Sequence, residues 1–461
     1  MNRFVLLLLL VGFASDGFAE TLTLESAVER AVSNPALVKE FEARSKKARA
    51  QQYRADYAWT PKVQTSFILA PVPGEAELDQ FSSNIDQFLD FNFGPYLRND
   101  TRVLMPVYTF GKLSTAQELA ELGVDVAALQ KEEALRDMEF QVKRAYRSYQ
   151  LAQAFQALLD EGAELIKPKL AEMEEARDFG EGDFSTEDLR KLQIFDAEFD
   201  ARGLDNQKLS SISSAGLVYL TQLEGEPLVA ALPTESPSEV LTMKEAEELA
   251  FAHRPDLKML ARGVAARELL RQKAVNDFYP NIFVAARFGF GVSTENLALQ
   301  EVCRRPTPSS ECVDTADLFA KPYSNPLSFL TVDIALGLEW TFDFVQLDGK
   351  LDEADADLAD IQAKQERAIG AIRLEVQKLW TDLATAREKV LVQDRRLEAA
   401  RRWRDQFGLS VQTAGADISK GIDPLKAYFE AQVAWYQAHY EYLIAEAALA
   451  KGLGLSELPN E

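Results

Sequence analysis

Side chains able to do covalent or metal chemistry are scarce in this chain. Of its 461 residues only two are His and two are Cys. His253 and His439 stand far apart in the sequence, so neither a Ser–His–Asp nor a Cys–His relay is suggested, and a metal site would lack ligands. "DEADADLAD" (352–360) is acidic enough to suggest calcium, but it lacks the Gly and the ligand spacing of an EF-hand loop and reads as a solvated helix face. "GFGV" (289–292) falls within a strand pattern, with no following helix to hold a phosphate. Cys303 and Cys312 bracket the short stretch "CRRPTPSSEC"; metal binding is the alternative there, and a loop disulfide is the expected state in a secreted chain. No catalytic set, no metal site and no cofactor site emerges, so the reading is of a protein that is not an enzyme. The formal charge of −23 argues against nucleic acid as a partner.

The elements around these residues are more informative. Arg3, an apolar run and small residues up to Ala19 read as a cleavable secretory signal over 1–19, with a retained anchor as the alternative. No Cys lies near the cleavage point to carry a lipid. Beyond it, one domain-sized unit is written twice. "LTLESAVERAVSNPAL" from Leu22 is answered by "LTMKEAEELAFAHRPDL" from Leu241, and "FQVKRAYRSYQLA" by "LEVQKLWTDLATA". Gly-Lys-Leu recurs at 111–113 and 349–351, each time opening a long helical pattern. A first repeat is therefore expected over 20–223, a Pro-rich connector over 224–240, a second repeat over 241–455 and a short tail over 456–461. The helical hairpins span about 113–223 and 351–455. Their apolar positions step by three and four, as in Ile372, Val376, Leu379, Leu383, Ala386 and Val390, which is the spacing of a coiled-coil seam. A helix over 351–412 would be roughly 90 Å long at 1.5 Å per residue. Pro168 should kink or break its counterpart.

Four segments instead alternate with a period of two: about 62–70, 97–108, 281–292 and 329–342. In "TVDIALGLEW", Val332, Ile334, Leu336, Leu338 and Trp340 share one face, and Asp333 and Glu339 the other. The flanking helices already use their seams on each other, so lipid is the remaining cover for the apolar face, and the charged face would line a wet lumen. A soluble sandwich within a coiled-coil scaffold is the alternative. Trp59, Tyr108, Phe110, Phe278, Tyr279, Trp340 and Phe342 cluster at the strand–helix junctions, as an aromatic girdle at a membrane surface would. Four strands close no barrel, and an edge open to lipid leaves backbone groups unsatisfied. The chain must then oligomerise: two copies would give a filled barrel, three a channel.

In the order of these features, occurring twice, the sequence resembles the TolC-like outer-membrane efflux family. The resemblance rests on the paired LTL-type openings, the aromatic–Pro approach to each first strand ("YAWTPKV", "DFYPNIF"), the exits "MPVYTFGKL" and "EWTFDFVQLDGKL", and turns ending in Asp-Leu or Asp-Pro-Leu. It implies a mainly α protein with a transmembrane β-barrel portion, built as an obligate homotrimer with a twelve-stranded barrel and a periplasmic α-barrel. The implied role is a passive exit duct of a tripartite efflux or type I secretion system in the outer membrane. Its partners would be outer-membrane lipid, a periplasmic adaptor protein and an inner-membrane transporter. The resemblance also implies an acidic aperture at the helical tips, which places Asp188 and Asp423 there. Lys426 stands where some members carry a second acid, and Asp417 and Lys420 lie in the same turn. Helix capping is the parallel role for Asp188 and Asp423, each just before an apolar helical run.

Overall fold

One series of elements occurs twice. The computed structural model describes residues 21–73, 93–179, 186–237, 239, 241–293, 329–414 and 422–459. The first series is α1 (Leu24–Val32), α2 (Pro35–Asp56), β1 (Lys62–Pro73), β2 (Phe93–Tyr108), α3 (Lys112–Phe179) and α4 (Thr186–Thr221). The second is α5 (Met243–His253), α6 (Pro255–Asn276), β3 (Asn281–Ser293), β4 (Phe329–Glu339), α7 (Phe344–Ala414) and α8 (Ile422–Gly452). The chain divides into two compact units, one comprising 1–47, 125–263 and 362–461 and the other 48–124 and 264–361.

Equivalent residues do equivalent work in the first unit. Thr23 and Thr242 each accept a bond from the backbone three residues on, while Ser26 and Glu245 return one, so both short helices begin in capping boxes. Ala27 and Ala31 of α1 and Ala246 and Ala250 of α5 are fully buried. The Tyr146 hydroxyl donates to the Leu22 carbonyl at 2.7 Å, and the matching Trp380 indole N–H donates to the Leu241 carbonyl, also at 2.7 Å. The aromatic residue in each long helix therefore fastens the segment that precedes the repeat's first helix. Leu22 also pairs with the Pro-rich connector through a parallel bridge to Val229.

The seam expected in α7 is the buried one from Ile372 through Val376, Leu383, Ala386 and Val390. It packs on α5 and on α8 residues Ala438, Tyr442 and Leu449. A second cluster joins both repeats: Leu158, Ile166 and Met173 of α3, Phe195 and Phe199 of α4, Leu397 of α7 and Phe429 of α8. Pro168 does not end α3, which runs unbroken to Phe179. A proline inside a helix costs about 3 kcal/mol through the lost N–H bond and ring clash. Burial of Ile166 and Met173 on either side of it offsets that cost.

The second long helix begins earlier than its Gly-Lys-Leu suggests. Gly111 has φ +86°, open to glycine alone without strain, and it precedes Lys112 at the start of α3. Gly349, by contrast, lies inside α7, which starts at Phe344 where the Asp343 carboxylate accepts from the Gln346 N–H. The strands differ at their ends too. β1 reaches Pro73, β2 starts at Phe93, and β4 stops at Glu339, leaving Trp340 and Phe342 beyond it.

The acidic stretch 352–360 is more than a solvated face. Asp355 pairs with Arg271 of α6 and Asp357 with Arg267, so this run ties α7 to α6. Cys303, Cys312, Asp417 and Lys420 lie outside the described residues.

Candidate functional site

The second unit carries a four-stranded antiparallel sheet in the order β1-β2-β3-β4. Its register settles which side chains share a face. Phe67 is opposite Asn99, Asn99 opposite Phe290 and Phe290 opposite Leu330, so one face carries Val63, Phe67 and Leu69 with Val284, Phe288, Val332, Ile334, Leu336 and Leu338. All of these but the half-buried Val284 are exposed in the single chain, Ile334 at 78% and Leu69 at 77%. No soluble monomer gains by presenting an apolar sheet face of this extent to water.

Within the apolar face lies a polar group that the alternating pattern did not bring out. Asn99 donates to Thr65 Oγ1 at 3.0 Å and accepts from Thr101 at 3.1 Å, while Thr65 and Thr101 share a hydroxyl–hydroxyl bond of 2.8 Å. Asn99 is only 3% exposed. These groups satisfy one another, which is the condition for placing them against hydrocarbon.

The opposite face is charged and mostly small. Asp100, 8% exposed, receives three guanidiniums: Arg287 Nη2 at 2.8 Å, Arg98 Nη2 at 3.2 Å and Arg102 Nε at 3.2 Å. The alternation in β2 identifies Arg98, Asp100 and Arg102 as one facing set. That Arg287 of β3 turns to Asp100, rather than to Asp333 opposite it, required the register. Gly289 and Gly291 leave β3 bare on this side, and the Arg98 guanidinium reaches across them to lie 5.7 Å from the centre of the Phe329 ring on β4.

The expected aromatic residues meet where the strands end. Phe110 stacks on Tyr279 with ring centres 5.4 Å apart and packs edge-on against Tyr108 at 4.6 Å. The Trp340 indole donates to the Phe278 carbonyl at 3.0 Å, and its ring lies 4.8 Å from Phe342. The exit of β2, the start of β3 and the exit of β4 are thus tied by one aromatic band, with Trp59 exposed before β1. Indole and phenol rings with a polar edge suit a lipid–water boundary. Lys112 completes the junction by donating to the Tyr279 carbonyl at 2.9 Å.

In the first unit, Asp188 and Asp423 occupy the first turns of α4 and α8, where a carboxylate favours the helix dipole. Lys191, invisible as a site residue in the sequence, lies within reach of their charges. Its ammonium pairs with Glu187 at 3.0 Å, and this bond, with the charges of Glu187, Asp423 and Asp188, holds its pKa above the ordinary lysine value. Lys426 turns away to Glu198 of α4 at 2.8 Å and keeps that carboxyl below its usual range. Lys426 thus serves as a clip between α4 and α8.

Among the described residues no helix is long and apolar enough to cross a membrane, and no group of His, Cys, Asp or Glu is placed to hold a metal. Neither a protein-family model nor a curated protein sequence matches the chain. Solved structures do. The outer-membrane channel OprN superposes with a TM-score of 0.71 at 18% identity, covering 94% of this chain and 89% of that one. The CmeC outer membrane channel of Campylobacter jejuni gives 0.71 at 13% identity, over 94% and 85% of the two chains. The open state of the MtrE outer membrane channel of Neisseria gonorrhoeae gives 0.71 at 14% identity, over 94% and 89%. These neighbours are channel proteins rather than enzymes. From the capped short helices to the four-stranded sheet, this chain has the fold of the TolC-like outer-membrane channels.

Proposed function

We propose that the protein is an outer-membrane exit duct, a passive channel for substrates delivered by an inner-membrane transporter through a periplasmic adaptor protein. The observation that carries this reading is the exposed apolar face of the sheet, bounded by the aromatic band. Lipid covers that face, and Val332, Ile334 and Leu336 meet its chains. Strands β1 and β4 remain the sheet's outer strands, and a bare edge in hydrocarbon costs several kcal/mol for each unsatisfied group. Pairing β4 of one copy with β1 of the next keeps the antiparallel alternation and closes a ring. Three copies give about twelve strands, wide enough for a lumen lined by Arg102, Asp333, Ala335 and Gly337. The helices stand in the periplasm, and the tips carrying Asp188 and Asp423 form the aperture to which the partners dock.

Fractionation of the expressing cells, followed by mass determination in mild detergent, tests this. The proposal expects the protein in the outer membrane as a trimer whose gel mobility changes on heating. A monomer that stays soluble without detergent contradicts it.

A further inference from the structure

The polar face of the sheet holds more positive charge than the fold requires. One carboxylate, Asp100, suffices to join β2 to β3 through Arg287, yet Arg98 and Arg102 converge on it as well. Each guanidinium offers five donors, whereas a carboxylate accepts about four bonds, so most of these donors are left for something else. Arg102 is 69% exposed. Arg98 Nε and Arg287 Nε are buried without a hydrogen-bond partner among the described residues, and an unmet buried donor is costly. Among the described residues, the other charge at this height is Asp333, opposite Arg287 on β4. Three guanidiniums therefore face two carboxylates. The neighbours on that face, Ser66, Gly289 and Thr331, are small and uncharged, which leaves the arginines open to solvent.

We infer that Arg98, Arg102 and Arg287 form an anion-selecting belt in the β-barrel lumen, and that the exported substrates are anions bearing carboxylate or phosphate groups. This rests on the duct reading above, which places the polar face inward. Guanidinium forks match the two oxygens of a carboxylate or phosphate in a way that a lysine ammonium does not, and rings of arginine are the established means of favouring anions in a pore. Repeated by threefold closure, the belt holds nine guanidiniums on one circumference. Its sign is opposite to that of the chain as a whole, whose formal charge is −23. The inward charge is therefore a local feature, distinct from general surface charge. The Arg98 guanidinium is held between its Asp100 partner and the Phe329 ring, 5.7 Å from the ring centre, so its plane is oriented while its remaining donors stay available.

The test uses the purified protein in planar lipid bilayers, with tripolyphosphate added on the side of the β1–β2 and β3–β4 loops. Tripolyphosphate blocks the wild-type current, and Arg102→Gln weakens that block roughly tenfold while shifting the reversal potential in a KCl gradient toward that of K+. Arg102→Lys keeps the charge but not the fork, and its block lies between those of the wild type and Arg102→Gln. Because Asp100 keeps Arg98 and Arg287 in both variants, the sheet remains joined. Arg98→Gln, which removes a partly buried fork, gives the same direction of change. A conducting wild type with no block, or equal block in the Arg102→Gln protein, overturns the belt and leaves the duct standing. A protein that inserts without any conductance overturns the duct and the belt together.

Discussion

Replacing Ile334 by Arg separates a lipid-covered sheet face from a lumen face. Ile334 is the sixth of the eleven residues of β4. At about 3.4 Å per residue, roughly 17 Å of strand lies on either side of it, or about 13 Å of height at the usual tilt of a barrel strand. That is half of an apolar band about 25 Å tall, so Ile334 sits near the midplane. An Arg facing lipid there costs about 2–4 kcal/mol per chain, hence about 6–12 kcal/mol for three copies folding together. Ala335, its neighbour on the charged face, accepts an Arg at a cost within about 0.5 kcal/mol, because its side chain meets water. The assay is urea unfolding in lipid vesicles, read by heat-modifiable gel mobility and tryptophan fluorescence. The reasoning predicts that Ile334→Arg abolishes or sharply lowers folding yield while Ala335→Arg unfolds near the wild-type midpoint. Equal loss at both positions, or loss at Ala335 alone, would refute it.

Other expectations follow from the helices. Gly162→Ala puts a methyl group into the Phe199 ring that closes α3 against α4, which should destabilise the hairpin by about 1–3 kcal/mol in urea titrations, and adding Phe199→Leu should restore most of it. A double-mutant cycle on Glu198 and Lys426 should give a coupling of about 0.2–1 kcal/mol, because both side chains are partly exposed. The Glu198 carboxyl is lowered on folding, so that coupling is present above its ordinary value of 4.5 and is lost as the pH falls through the lowered one; a coupling that grows in acid would contradict the pairing. Asp423→Ala should raise single-channel conductance if Asp423 lines the aperture, and unchanged conductance counts against that role.

The parts of this fold that were legible in the sequence are those with a strict period or a repeated order. The alternation in 331–340 placed Val332, Ile334, Leu336 and Leu338 on one face, and the register of β3 and β4 agrees. The steps of three and four picked out Ile372, Val376, Leu383 and Val390, all buried. Local signals misled where tertiary packing decides. The second Gly-Lys-Leu marks no boundary, because the Asp343 cap starts α7 ahead of Gly349. Pro168 leaves α3 intact because core residues hold the helix on both sides of it. The Thr65–Asn99–Thr101 group interrupts the apolar face with residues that read as a poor strand until their mutual bonds are seen. The alternation put Arg287 on the charged face but did not give its partner Asp100, and Glu198 went unnoticed, for one reason: each acquires its role from a partner on another element, at a separation that no spacing rule encodes.

Collision accessibility of nitroxide labels at residues 332, 334 and 336, in protein reconstituted into lipid bilayers, bears most directly on the central claim. The account predicts easy collision with oxygen and little with a water-soluble nickel complex at these three positions, and the reverse at 335 on the other face. Contact with the nickel complex at 334, or shielding from both reagents as in a packed protein core, would mean that the sheet does not face lipid and that no barrel is formed.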